Sequence, residues 1–132
     1  MNIPPSKMAL PDSLPTSAPQ WQVICLCADW CGTCREWREP LAQVARAHPG
    51  VRFAWVDIED EADALGEVDI ETFPTLLIAV DSRPRFLGPV LPHATQLERL
   101  LASLQQDERT GSPPPEATGL LARLNAIELE PI

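Results

Sequence analysis

The chain has 132 residues, 45% of them hydrophobic, and a net charge of -9 from 19 acidic and 10 basic side chains. That length holds one domain with one core, and that apolar share excludes global disorder. The acidic balance, without any Lys/Arg cluster, argues against a nucleic-acid partner, and no apolar run approaches the ~20 residues that cross a bilayer.

Taken in chain order, residues 1–20 form a Pro-rich N-terminal arm holding Pro4, Pro5, Pro11, Pro15 and Pro19, with room for a short edge strand at Met8, Ala9 and Leu10. Lys7 precedes only three apolar residues before Pro11. A secretory leader needs about 7 to 15, so a cytoplasmic location is expected. Residues 23–28 are apolar throughout, as in a strand covered on both faces. A helical pattern follows over 34–48, with Trp37, Leu41, Val44 and Ala45 on one face and Pro40 inside the run. Residues 51–58 read as a second strand, which completes a β-α-β unit. An acidic stretch of weak helical character occupies 59–65 and reads as a solvated face. A strand over 74–80, a turn over 81–84 and a short strand over 85–87 make an antiparallel hairpin.

Thr95 and Glu98 have capping-box spacing, and Leu97, Leu100, Leu101 and Leu104 form the buried stripe of a helix. The domain therefore spans 21–106. Residues 107–132 follow as a Pro-rich spacer and a short C-terminal helix, whose Leu120, Leu121, Leu124 and Ile127 are spaced to pack back on the domain. The fold class expected is α/β, a central mixed β-sheet with helices on both faces.

All four cysteines, Cys25, Cys27, Cys31 and Cys34, fall within ten residues. Cys31 and Cys34 sit where the first strand hands over to the first helix. Unpaired amides and the positive end of the helix dipole favour a thiolate there. Residues three apart on a helix are neighbours, so Cys34 can reach a mixed disulfide formed on Cys31 and release the product. Gly32 lets a partner's backbone approach, and Trp30 supplies a flat apolar shelf.

At these residues the chain resembles the thioredoxin family. The run from Ala28 to Cys34 (ADWCGTC) is similar to its active-site motif, and the run from Thr72 to Leu76 (TFPTL) to its cis-proline segment. Gly88 is similar to a glycine that the family also uses. The resemblance covers about residues 21–106 and implies a thioredoxin-like fold that exchanges disulfides with protein substrates. Cys31 and Cys34 would be catalytic, with Trp30, Gly32, Thr33, Phe73, Pro74 and Gly88 forming the substrate surface. Pro74 would be cis and face Cys31, while the Phe73 backbone pairs with an extended substrate segment. The redox couple is carried by the protein itself, so no cofactor is required. The family's reductant would be a thioredoxin reductase or another dithiol donor.

The chain departs from the family pattern at three places. Cys25 stands where the family has a buried aspartate, Trp55 where its partner lysine lies, and Gly-Thr separates the cysteines in place of Gly-Pro. Proton transfer to and from Cys34 is then expected to be weakly assisted, and exchange to be slow.

Cys25 reads first as a small core residue, with an auxiliary thiol as its alternative. Cys27 shares its strand face and stands as an auxiliary thiol, open as a second resolving group or a site of regulatory oxidation. A metal site built from all four cysteines is opposed by geometry. Side chains two apart on a strand start ~6.6 Å from each other, whereas zinc needs every sulfur ~2.3 Å from one point. The remaining alternative is a non-enzymatic docking or assembly module on the same fold.

Overall fold

The structure is a computed structural model that describes residues 19–132, so most of the N-terminal arm, with its expected edge strand, lies outside the described residues. Five strands and four helices follow: β1 (Trp21–Cys27), α1 (Gly32–Ala47), β2 (Val51–Asp57), α2 (Ala62–Leu65), β3 (Thr75–Val80), β4 (Arg83–Pro89), α3 (Ala94–Gln106), α4 (Glu116–Asn125) and β5 (Glu130–Pro131). They build one mixed sheet in the order β4-β3-β1-β2-β5. β1 and β2 run parallel, and every other pair is antiparallel. The α/β architecture is the one expected.

β1 is the middle strand, and its period-2 alternation divides the core. Val23, Cys25 and Cys27 point to one face, where Trp37 and Leu41 of α1 and Leu97, Leu101 and Leu104 of α3 cover them. Ile24 and Leu26 point to the other face, beneath Leu65 of α2 and Leu120, Leu121 and Leu124 of α4. α4 is tied down by more than its leucines. The Arg123 guanidinium donates to the Ala64 carbonyl (2.7 Å) and the Leu65 carbonyl (3.1 Å), two acceptors at the free end of the single-turn helix α2. Gly66, at φ 61°, is needed there, since a Cβ would come within 3.1 Å of the Arg123 side chain.

Three local readings are corrected. The β3–β4 connection is a two-residue turn, because Asp81 and Ser82 both take positive φ (51° and 65°). Such turns match the twist of paired strands, so β4 begins at Arg83 and not at Arg85. The Thr95/Glu98 capping box does not form. α3 starts at Ala94, with His93 at its N-cap and no side-chain cap. The earlier start lets Ala94 pack against the core, and Glu98 reaches His48 (3.5 Å) instead. β5 was not expected at all. Its two residues pair with Ala54 and Trp55 at the sheet edge.

Leu120 is fully buried. Leu120→Ala is therefore expected to destabilise the protein by roughly 2–5 kcal/mol, read as a lowered urea midpoint. A loss under about 0.5 kcal/mol, the scale of a surface substitution, would show that α4 lies outside the cooperative core.

Candidate active site

The site grows from the junction of β1 and α1. Cys27 is the last residue of β1, Cys31 is the N-cap of α1, and Cys34 is the third residue of that helix. The linking turn is held by the Cys31 amide donating to the Ala28 carbonyl (3.0 Å) and the Arg35 amide donating to the Cys31 carbonyl (3.1 Å). The Cys31 side chain makes no capping bond and is half-buried, with its thiol free. Cys34 is fully buried, and its sulfur is bonded to Cys27 in a disulfide that spans a Cα separation of 5.9 Å. The Ala28 amide donates to the Cys34 sulfur at 3.4 Å. The spacing of Cys31 and Cys34 leads one to expect a bond between those two, yet the bond formed runs to Cys27. The alternation of β1 aims Cys27 at the face where α1 begins, which brings it to Cys34.

The rim of the site comes from the β1–α1 loop, the first turn of α1, the segment before β3 and the end of β4. Trp30 is 60% exposed and meets the Phe73 ring edge-on at a centroid distance of 5.7 Å. The Phe73–Pro74 peptide is cis, as the resemblance implied. The segment is fastened by the Val90 amide donating to the Pro74 carbonyl (3.0 Å) and by the Thr75 hydroxyl donating to the Thr72 carbonyl (2.6 Å). Gly32 and Thr33 are exposed at the first turn of α1. Gly88 pairs with Leu76 in the ladder and lines a cleft of about 270 Å³ with Thr72 and Thr75.

An acidic clamp that the sequence reading missed holds this rim in place. Asp57 accepts from the amides of Asp29 (3.0 Å), Glu59 (2.8 Å) and Asp60 (3.3 Å). Burial pushes its carboxyl upward, but these backbone donors outweigh that and hold it below the usual range. The Asp57 charge in turn raises the exposed Asp29. Glu59, read from sequence as part of a solvated face, accepts from the Trp30 indole N–H at 2.8 Å and fixes the ring.

Behind the disulfide lies Cys25, opposite Trp55 in the β1–β2 ladder. Burial pushes its thiol up to about 12, against a smaller opposing pull from the Arg38 charge. Where the family has a carboxylate and a lysine, this chain has a neutral thiol and an indole, with the Arg38 guanidinium 4.0 Å from the Trp55 ring centroid. The indole N–H groups of Trp37 and Trp55 are buried without hydrogen-bond partners. Among the described residues the buried polar or charged side chains are Gln22, Thr75 and Arg85, none of them a carboxylate or an ammonium. Among the described residues no three His, Cys, Asp or Glu side chains gather as a metal site would require.

The thioredoxin family model matches residues 15–103. The chain belongs to the thioredoxin family. It is 29% identical over 83 residues to mitochondrial thioredoxin-3 of Saccharomyces cerevisiae, covering 62% of this chain and 64% of that one. It is 36% identical over 56 residues to an H-type thioredoxin of Fagopyrum esculentum, covering 42% and 48% respectively. The chain thus spans about half to two thirds of these relatives. The crystal structure of oxidised yeast thioredoxin-3 superposes with a TM-score of 0.57 over 64% of this chain and 78% of that one, at 26% identity. Residues 104–132 of this thioredoxin-family chain, with α4 and β5, lie outside the family match.

The Cys25 thiol ionises at 9.0 when unperturbed and at about 12 in the fold. A raised value means that its contribution to stability is complete below 9.0 and is lost as pH rises toward 12. Urea midpoints measured across that window should fall more steeply for the wild type than for Cys25→Ala. Equal slopes would contradict the assignment. In the folded protein at about pH 8, Cys25 should also resist iodoacetamide until the chain is unfolded.

Proposed function

We propose that this chain is a thiol-disulfide oxidoreductase that reduces or exchanges disulfides of protein substrates. The observation that carries the reading is a half-buried free thiol, Cys31, at the start of α1, one helical turn before a sulfur already engaged in disulfide chemistry, Cys34. In the productive cycle the Cys31 thiolate attacks a substrate disulfide, forms a mixed disulfide and releases one substrate thiolate. The Cys34 thiolate then attacks the Cys31 sulfur, the mixed disulfide breaks, and the second substrate thiolate leaves. Two electrons pass to the substrate, and the two protons come from the protein dithiol by way of water. The cycle needs no cofactor.

Trp30 and Phe73 form the apolar wall against which a substrate segment lies, and Gly32 and Thr33 leave the other side open. Pro74 and Phe73 offer backbone to an extended chain in the manner of strand addition, with Gly88 at the neighbouring cleft. The absence of the buried carboxylate leaves Cys34 without a nearby proton acceptor, so the second step is the slow one. The reductant is a thioredoxin reductase or an equivalent dithiol donor, and the compartment is the cytoplasm. No helix among the described residues is long and apolar enough to cross a membrane.

Insulin reduction by dithiothreitol tests this. The wild type should accelerate precipitation, Cys31→Ser should fall to the uncatalysed rate, and Cys34→Ser should accumulate a mixed disulfide visible on a non-reducing gel. Equal rates for wild type and Cys31→Ser would overturn the reading in favour of a docking module.

A further inference from the structure

We infer that Cys27 is a third redox-active cysteine, and that Cys34 exchanges its disulfide between Cys31 and Cys27. This rests on the oxidoreductase reading above and extends it. Cys34 is reachable from two sides. Cys31 lies one turn earlier on the same helix, and Cys27 lies across from it at the end of β1, close enough that the structure contains the Cys27–Cys34 bond itself.

Turnover leaves Cys31 bonded to Cys34. The Cys27 thiolate then attacks the Cys34 sulfur; the Cys27–Cys34 bond forms, the Cys31–Cys34 bond breaks, and Cys31 departs as a thiolate. The proton lost by Cys27 balances the one that Cys31 can take from water. No electrons enter or leave, and no further oxidant is needed.

The direction follows from which thiol is left over. With Cys27 bonded, the spare thiol is Cys31, half-buried at the rim in reach of water. With Cys31 bonded, the spare thiol is Cys27, which is fully buried. A disulfide has no donor to satisfy and sits in an apolar core at little cost, whereas a reactive thiol gains from solvent. The Ala28 amide, already donating to the Cys34 sulfur, helps to hold the inner bond. The oxidised protein therefore keeps a free nucleophile at its surface. It can capture a second disulfide as a mixed disulfide, and it hides its own oxidising equivalents from the solvent. A reductant must then reach Cys34 through Cys31.

The test uses full-length protein oxidised by turnover on insulin, quenched with acid to stop exchange, and alkylated with iodoacetamide after denaturation. Cleavage before Asp29 and Asp57 separates Cys27 from the fragment that carries both Cys31 and Cys34. The expected product is two joined peptides with alkylated Cys31, and fragmentation places the link at Cys27. In Cys27→Ser the link should move to Cys31–Cys34, and alkylation of Cys31 should drop to background. A wild-type product in which the 29–56 peptide is closed on itself, with Cys27 alkylated, overturns the relay. Insulin reduction separates the two ideas. Without it the oxidoreductase reading fails; with it and a closed 29–56 peptide, the relay alone fails.

Discussion

One strand, buried from its second residue onward, organises this molecule. Residues 22–28 are all buried, so β1 must be covered above and below, and neighbouring residues must point to opposite layers. That alternation places Ile24 and Leu26 under α4, and Cys25 and Cys27 under α1. It also fixes where the chain leaves the sheet. Only three residues, Ala28 to Trp30, separate the end of β1 from the N-cap of α1, so the first turn of the helix sits over the strand's last side chain. The chemistry follows from that short handover.

The rim is built on a different principle, which is charge held by backbone. Asp57 collects amides from the loops after β1 and after β2, and so locks two segments that share no regular pairing beyond the strands. Its carboxylate is favoured by the donors more than it is disfavoured by burial. With Asp29, Glu59 and Asp60 it sets four carboxylates on the loops beside Cys31, where Arg35 and Arg38 also lie against Asp29.

Most of the architecture was legible because periodicity and length carry it. The fully apolar run 23–28, the helical stripe of Trp37, Leu41 and Val44, and the leucines of α3 and α4 each specify one layer. The elements misread were those decided by single backbone conformations or by long-range pairing. Asp81 and Ser82 lack the glycine that usually marks a tight turn. β5 is two residues that become a strand only because β2 offers an edge. In the site, the cysteines and the cis-proline segment could be named from motif and spacing. The clamp at Asp57 could not, since an acidic residue at a strand end, just before an acidic stretch, looks like any surface charge. The partner of Cys34 was also out of reach, because two cysteines compete for it and the outcome depends on how the strand end meets the helix.

The placement of the aromatic residues gives the protein an optical handle. Of its tryptophans, Trp37 and Trp55 are buried and Trp21 is half-buried, while Trp30 stands largely in solvent beside the free thiol. A water-borne quencher meets that indole before it meets the others. Whatever docks over Cys31 shields the same ring, so intrinsic fluorescence reports occupancy of the site without an added label.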